Sequence, residues 1–351
     1  MSHNTDALYC YKRTAVVRAS DDFFPRDPAS HTTHIAAVAY NSVFLGEFML
    51  PDWDMFHSLH PAGEYHGSAR AISGGPVYVS DAPREARLRA AEEDGLAGRL
   101  RAARASAWPA DQGLPVHRPG TRRCQVAVFA ALLVCCLLKI WNMNKFTGVL
   151  GVYNCQGPAW SFAEKKTVFH PTGADADALT CGVKGSDVHL IPEAATDTEW
   201  NGDCAVYRDA RGDLVVLLDG SVLPVSLKVL EQDILTVSPI KELAPGFRFA
   251  PIGLVDMFNS GAAVEGLTYH LLDGARMIGD DGSAISAGAV GLVCMEVRGC
   301  GRFGAYSSVR PSKCTLGSAP VEFAYDSSAG LVVVELEAMR KERAHKIVFE
   351  L

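Results

Sequence analysis

The sequence predicts an α/β segment followed by an all-β region, and two observations carry this prediction. Over residues 1–83, short apolar runs that end in polar residues alternate with stretches long enough for helices, which is the rhythm of a parallel sheet or barrel. From residue 139 onward, β-branched runs are separated by clusters of turn-forming residues, as in an antiparallel sandwich or barrel.

The predicted strands of residues 1–83 each deliver polar groups where they end. In (β/α) barrels, catalytic side chains lie at the C-terminal ends of the strands. Caps for the following helices would explain one of these polar groups more readily than all of them. The residues at the three strand ends are Arg18 with Asp22, Asp52 with Asp54, and Asp81.

Residues 84–136 differ in composition from both flanks. Their first part, 84–123, is rich in Ala and Arg and has no Lys, Ile, Phe, Tyr, Met or Asn, so we expect an aberrant segment that is disordered or poorly packed. The long apolar run Val126–Leu138 has 13 residues, and a bilayer span needs about 20. The sequence therefore predicts no membrane anchor.

Charge and cysteine content exclude several classes of protein. With 33 basic and 40 acidic side chains, the chain is a poor candidate for binding nucleic acid. Its ten cysteines include no Cys-x-x-Cys pair, which favours reduced thiols in the cytoplasm, with the plastid as the alternative. We expect no cofactor and no metal, because no Cys or carboxylate completes a tetrahedral spacing with His57, His60 and His66.

Aspartates around an aromatic residue at two strand ends point to sugar chemistry. One carboxyl must protonate a leaving oxygen, others bind hydroxyls, and an aromatic face covers the apolar face of a sugar ring. The segments Arg18–Pro28 and Gly46–His57 offer these groups. The alternative for Asp52, Trp53 and Asp54 is a helix cap with a core Trp.

Seven longer stretches are distinctive: Met1–Tyr9, Arg18–Phe23, Leu50–Ser58, Leu138–Asn144, Asn154–Gly157, Phe249–Ser260 and Arg298–Ser308. Together they closely resemble the plant raffinose synthase and seed imbibition protein family, which belongs to glycoside hydrolase family 36. The resemblance covers residues 1–83 and 137–351.

The resemblance implies a (β/α)8 barrel followed by an antiparallel β-sandwich, and a retaining mechanism on α-galactosides. Residues 1–83 would be the last three strands of the barrel, and residues 137–351 the C-terminal sandwich. The family's acid/base lies in an Arg-x-x-x-Asp pattern, which here ends at Asp22, with Asp21 as the adjacent alternative. Substrate-binding roles are implied for Arg18, Asp21, Asp52, Trp53 and Asp54.

One family motif is absent from residues 1–83. The nucleophile of the family lies in a Lys-x-Asp motif on an earlier strand, and no Lys-x-Asp occurs there. Met1-Ser-His-Asn resembles an internal stretch near the end of the fifth strand. A retaining mechanism needs two carboxyls about 5 to 5.5 Å apart, so we expect this chain to be an inactive fragment without the first half of the barrel.

The resemblance also offers an origin for residues 84–136. Codons for residues 84–91 and 108–121, when read in a frame shifted by one base, can encode stretches of the family sequence. We therefore expect a frameshifted stretch followed by translated intron or a misassembled exon.

Three functions remain open at this point. The first is galactosyl transfer from galactinol to sucrose, the raffinose synthase reaction. The second is an alkaline α-galactosidase that hydrolyses raffinose-type sugars. The third is a non-catalytic sugar-binding remnant. In each case the expected partners are small sugars such as galactinol, sucrose and raffinose, and the sequence does not specify an oligomeric state.

Overall fold

The computed structural model describes residues 16–47, 49–82, 125–127, 137–169, 178–197, 199–271, 291–337 and 344–351. Within these ranges the protein is mostly β-sheet with few helices. The chain forms two compact units. The first comprises Met1–Met143, Leu150–Val183 and Val222–Ile234, and the second comprises Asn144–Val149, Lys184–Ser221 and Leu235–Leu351.

The first unit opens with alternating strands and helices. They are β1 (Val16–Arg18), α1 (Pro28–Leu45), β2 (Leu50–Asp52) and α2 (Gly63–Ser73). The strands β1 and β2 are parallel, with Arg18 opposite Asp52, and a further parallel bridge joins Phe56 to Val79. This is the alternation that the apolar runs predict.

Local sequence explains where the two helices begin and end. Asp27 caps α1 by accepting a hydrogen bond from the backbone of Ala29 at 3.0 Å, and Pro28 follows it at the first helical position. Helix α2 ends at Gly74, whose φ of +74° suits a glycine. Nearly every residue of α2 is buried, so its polar side chains lie in the interior of the unit.

Other described strands of the first unit form antiparallel pairs. Strand β3 (Gln125–Ala127) pairs with β4 (Leu138–Met143), β6 (Pro158–Ser161) with β7 (Lys166–Phe169), and β8 (Leu179–Val183) with β11 (Leu223–Leu227). Two strands, β5 (Gly148–Tyr153) and β12 (Gln232–Pro239), have residues in both units.

The second unit is built from antiparallel strands and short helical turns. Strand β9 (Cys204–Arg208) pairs with β10 (Asp213–Leu217) on one side and with residues 235–239 of β12 on the other. Helix α3 is Ile191–Ala194, and 3-10 turns cover Gly185–Asp187 and Ser260–Ala263.

Two five-stranded antiparallel sheets make up most of the second unit. The first has the order β13, β14, β17, β21, β20, and the second has the order β15, β16, β22, β18, β19. Their strands are β13 (Lys241–Ala244), β14 (Phe247–Leu254), β15 (Val264–Leu271), β16 (Gly291–Val297), β17 (Gly301–Ser307), β18 (Lys313–Leu316), β19 (Ala319–Pro320), β20 (Ala324–Asp326), β21 (Leu331–Leu336) and β22 (His345–Glu350).

Aromatic side chains join these two sheets face to face. The ring of Phe249 on β14 lies 5.8 Å from Phe349 on β22 and 6.5 Å from Tyr269 on β15. Both phenylalanines are fully buried. Such inner faces are what a β-sandwich buries, and the predicted all-β character of this region is confirmed.

One glycine of the sandwich cannot be replaced without a clash. Gly253 has a φ of +107° and lies at a β-bulge in β14, where an added Cβ would come within 2.0 Å of the Ser260 carbonyl oxygen. The stretch Phe249–Ser260, one of those that resemble the family, therefore has a structural role in the sandwich.

The predicted aberrant segment, 84–136, lies outside the described residues except for the backbone of β3. The domain boundaries predicted at residues 83 and 137 stay predictions. In the described parts of the chain, no helix is long and apolar enough to cross a membrane.

Candidate active site

The parallel pairing of β1 and β2 brings four of the predicted site residues together. One guanidinium nitrogen of Arg18, Nη1, lies 2.8 Å from Asp22 Oδ1 and 2.7 Å from Asp54 Oδ2. The Nε of Arg18 lies 3.8 Å from Asp52 Oδ2. Burial alone would lower the pKa of Arg18, but the carboxylates of Asp54 and Asp22 outweigh it and raise this pKa.

The carboxylates of this cluster differ sharply in exposure. The side chain of Asp22 is 76% exposed, whereas those of Asp52 and Asp54 are 5% and 6% exposed. Asp21, beside Asp22, is also exposed. Asp22 is therefore accessible to a molecule from solvent. Asp52 and Asp54 are buried and contact Arg18, which in turn contacts Asp22.

Asp54 is held in an unusual backbone conformation by several hydrogen bonds. Its φ is +62°, in the left-handed region that few residues other than glycine adopt. Its backbone N–H donates to Asp52 Oδ1 at 3.0 Å, and its carboxylate accepts from the backbone N–H groups of Phe23 and Met55, both at 2.8 Å. Such conformations cluster at functional sites.

Tyr78 completes the cluster, although the sequence analysis does not name it as a site residue. Its hydroxyl donates to both oxygens of Asp52, at 3.1 and 3.0 Å. Burial, with the nearby charge of Asp52, raises the pKa of Tyr78 to about 12, so the hydroxyl keeps its proton. Tyr78 lies in the predicted strand run Pro76–Val79, close to the strand end at Asp81. This position was the sequence signal that could have identified it as a site residue.

Trp53 lies away from the cluster. Its side chain is fully buried, and its indole N–H donates to Ser42 Oγ on α1 at 2.9 Å. The burial favours the alternative of a core Trp over contact with a substrate.

His34 links α1 to the loop that carries Trp53. Its Nε2 lies 3.0 Å from the Trp53 carbonyl oxygen and its Nδ1 lies 3.2 Å from Ser20 Oγ. Burial, followed by the charge of Arg70, lowers the pKa of His34 to about 4. The imidazole is therefore neutral at neutral pH.

An open cleft of about 740 Å³ runs beside β1 and α1. Its lining includes Asp21 and Asp22 at the end of β1, and also Leu45 and Met49, which precede β2. The cleft thus runs along the strand and helix, and Asp22 is one of the residues that line it.

The cluster fits acid/base chemistry at an exposed carboxyl. Asp22 is reachable from solvent and is positioned by Arg18, which Asp54 in turn holds. Over the parts of the chain that the structure describes, no three His, Cys, Asp or Glu side chains converge in a way that would hold a metal ion.

Comparison with known proteins agrees with the resemblance seen in the sequence. The family model for raffinose synthase or seed imbibition protein Sip1 matches residues 1–336. Probable galactinol–sucrose galactosyltransferases 6 and 1 of Arabidopsis thaliana are 56% and 44% identical over 100% and 97% of this chain, which corresponds to 43% and 42% of their lengths. The stachyose synthase of Pisum sativum is 30% identical over 95% of the chain and 37% of its own length. The chain therefore spans less than half of these relatives, and it belongs to the raffinose synthase or seed imbibition protein Sip1 family.

Proposed function

We propose that this chain contributes the acid/base part of a retaining galactosyl-transfer site that uses galactinol as donor and sucrose as acceptor. The observation that carries the proposal is the exposed carboxyl of Asp22, positioned by Arg18 beside the buried Asp52 and Asp54. Relatives named as probable galactinol–sucrose galactosyltransferases supply the substrate class.

The finer fold assignment belongs to the same proposal. The succession β1, α1, β2, α2 and a further parallel bridge at Val79 is what three consecutive units of a (β/α)8 barrel would show. In such a barrel, Arg18, Asp22, Asp52 and Asp54 would lie at the catalytic, C-terminal ends of the strands.

Each residue of the cluster then has a role that follows from its exposure. Asp22 donates a proton to the departing glycosidic oxygen of galactinol and later accepts the proton of the attacking sucrose hydroxyl. Arg18 positions Asp22, and Asp21 lies where it can bind sugar hydroxyls. Asp52 and Asp54 hold Arg18, and Asp52 also holds Tyr78, while Trp53 is buried against α1.

The nucleophile is the group that this cluster does not offer. Asp22 Oδ1 and Asp54 Oδ2 share one guanidinium nitrogen, so they lie within the spacing of about 5.5 Å that retaining enzymes use. The carboxylate of Asp54, however, is buried and already accepts from Phe23, Met55 and Arg18. We propose that a carboxylate outside the described residues attacks the sugar carbon.

The test is an assay of two products: the 351-residue chain, and the longest natural translation product that contains it. Each is incubated with galactinol plus sucrose, with raffinose alone, and with p-nitrophenyl α-galactoside. Asp22→Asn should lower transfer by about 100-fold or more, because an amide cannot protonate the leaving oxygen. The matched control is Glu322→Gln, an exposed carboxylate of the second unit outside the cluster, which should keep most of the activity.

The outcomes separate the proposals. Raffinose formed from galactinol and sucrose supports the transferase, whereas release of galactose without transfer would replace it with the hydrolase. If neither product acts on any of these sugars, or if Asp22→Asn is as active as the wild type, the proposed function is wrong.

A further inference from the structure

A buried cation on α2 reaches both loops of the candidate site. Arg70 is fully buried, and burial lowers its pKa to about 10, which still leaves it charged at neutral pH. Its Nε donates to the Asp54 carbonyl oxygen at 3.1 Å, and its Nη2 donates to the Met55 carbonyl oxygen at 3.2 Å. The guanidinium thus fixes the backbone of the loop that follows β2.

The same guanidinium begins a chain of hydrogen bonds to the loop that follows β1. Arg70 Nη1 lies 2.8 Å from His66 Nδ1, His66 Nε2 lies 2.9 Å from His31 Nδ1, and His31 Nε2 lies 3.1 Å from the Pro25 carbonyl oxygen. All three side chains are buried. We call Arg70, His66 and His31 the histidine relay.

The two ends of the histidine relay fix the position of every proton in it. An arginine can only donate, so His66 Nδ1 must accept and the proton of His66 lies on Nε2. That proton points at His31 Nδ1, so the proton of His31 lies on its Nε2 and is donated to Pro25. A carbonyl oxygen can only accept, and the assignment is therefore the same from either end.

The relay encloses the residue that follows Asp22. The ring of Phe23 lies 4.4 Å from His66, 5.4 Å from His31 and 5.7 Å from the guanidinium carbon of Arg70. The backbone N–H of Phe23 is bonded to Asp54. The chain on the C-terminal side of Asp22 is thus held at Phe23 and again at Pro25.

We propose that Arg70, His66 and His31 are positioning residues for Asp22, which tie the loop after β1 to the loop after β2 through one directed chain of hydrogen bonds. Their link to catalysis rests on the proposed function, but the tie itself does not. Because no member of the relay faces the solvent as Asp22 does, these residues act on the loop and leave proton transfer to Asp22.

The experiment compares three variants of the 351-residue chain by NMR. His66→Phe keeps a ring but removes both nitrogens, so His31 Nδ1 loses its partner, and Arg70 Nη1 keeps only the carbonyl oxygen of residue 66, at 3.3 Å. His66→Gln has one acceptor and one donor and can restore the chain of bonds. Ser68→Ala is the control, because Ser68 is a fully buried polar residue of α2 that bonds to Tyr65 and Tyr153, outside the relay.

Two readouts test the proposal. Imidazole ¹⁵N shifts of the wild-type chain should show His66 and His31 neutral, each with its proton on Nε2. In His66→Phe, hydrogen exchange of the Phe23 amide should accelerate by roughly tenfold beyond the acceleration caused by any loss of global stability. This is the loss of protection expected for about one hydrogen bond. Exchange in His66→Gln should stay close to that of the wild type, and Ser68→Ala should change it only as much as it changes global stability.

A proton on Nδ1 of either histidine, or unchanged local protection of Phe23 in His66→Phe, would overturn the proposal. Failure of the proposed function would look different. In that case the chain and its longer natural product would have no activity on galactinol, while the tautomers and the protection of Phe23 would still follow the expected pattern.

Discussion

The backbone N–H of Phe23 donates to the carboxylate of Asp54 at 2.8 Å, so the residue after Asp22 is tied to the loop that follows β2. Asp54 also accepts from Arg18, which holds Asp22 itself. The position of the exposed carboxyl thus depends on a buried one, and this dependence can be measured.

The first prediction concerns the backbone conformation of Asp54. Asp54→Ala should lower the free energy of unfolding by about 3–5 kcal/mol, because it places a residue with no side-chain acceptor in the left-handed region, leaves the Phe23 N–H without its acceptor and removes the buried carboxylate from Arg18. Asp54→Asn should cost about half as much, since asparagine tolerates this conformation and its amide oxygen can accept from Phe23.

Urea unfolding of the two Asp54 variants measures this order. The control is the exposed Asp21→Ala, which should change stability by no more than about 0.5 kcal/mol. Equal losses for Asp54→Asn and Asp54→Ala would show that neither the conformation nor the acceptor matters.

The second prediction concerns Trp53, for which the structure favours a core role. Trp53→Phe and Ser42→Ala should each destabilise the protein, and a double-mutant cycle between them should give a coupling energy of about 1 kcal/mol for the indole hydrogen bond. Galactinol binding by Trp53→Phe, measured by calorimetry below its unfolding temperature, should match the wild type. A large loss of galactinol affinity in the folded Trp53→Phe variant would instead indicate that Trp53 contacts the substrate.

Strand periodicity accounts for what could be predicted at the candidate site. Parallel strands bring their carboxyl ends to one edge, so the polar groups that end β1 and β2, Arg18 and Asp52, were expected to lie at the same edge. The contact of Asp54 with Arg18 depends on the left-handed backbone conformation of Asp54, which no local sequence pattern predicts.

Contacts between residues distant in the chain could not be predicted from local patterns. His31 and His66 lie 35 residues apart, and only the packing of α1 beside α2 reveals their hydrogen bond. In the sandwich, the β-branched runs predicted strands, but the order in which they pair was not accessible. Strand β22, for instance, lies between β16 and β18. The local sequence of a strand does not predict which distant strands it pairs with.

The third prediction is a loss of stability on acidification. The pKa of His34 is about 4 in the folded protein, because burial and Arg70, with a smaller effect of Arg18, outweigh Asp54 and the bond to the Trp53 carbonyl. An unfolded histidine has a pKa near 6.5. Between these values the unfolded chain binds more protons, so the free energy of unfolding should fall as the pH drops from about 6.5 to about 4.

The contribution of His34 to this loss should be about 3 kcal/mol. His31 and His66, whose pKa values are also lowered chiefly by burial, should add to it in the same direction. Urea unfolding at pH 7 and pH 4.5 measures the loss, and His34→Gln, which cannot titrate, should reduce it. An equal loss in His34→Gln and the wild type would contradict the prediction.

The fourth prediction concerns the core of the second unit. Phe249→Ala should cost about 3–5 kcal/mol, because it empties the space between the two sheets where Phe249 meets Phe349 and Tyr269. Leu218→Ala is the matched control in the same unit, since Leu218 is 57% exposed, and it should cost less than about 1 kcal/mol. Thermal unfolding followed by near-ultraviolet circular dichroism reports both, and similar shifts in the two variants would refute the assignment of the core.

The last prediction separates the two ion pairs of Arg18. Both use the same guanidinium nitrogen at nearly the same distance, 2.8 Å to Asp22 and 2.7 Å to Asp54, but their environments differ. The pair with Asp22 faces the solvent, where ion pairs contribute about 0–1 kcal/mol. The pair with Asp54 is largely shielded, where a hydrogen bond to a charged group contributes about 1.5–3 kcal/mol.

Double-mutant cycles with Arg18→Met, Asp22→Asn and Asp54→Asn should therefore give a larger coupling energy for Arg18 with Asp54 than for Arg18 with Asp22. Added salt should weaken the Asp22 coupling more, because exposed charges are screened more effectively. A stronger coupling to Asp22 would mean that Arg18 holds this carboxyl firmly. The expected weaker coupling lets Asp22 exchange a proton with a sugar oxygen, while Arg18, kept in place by the buried pair, orients this carboxyl.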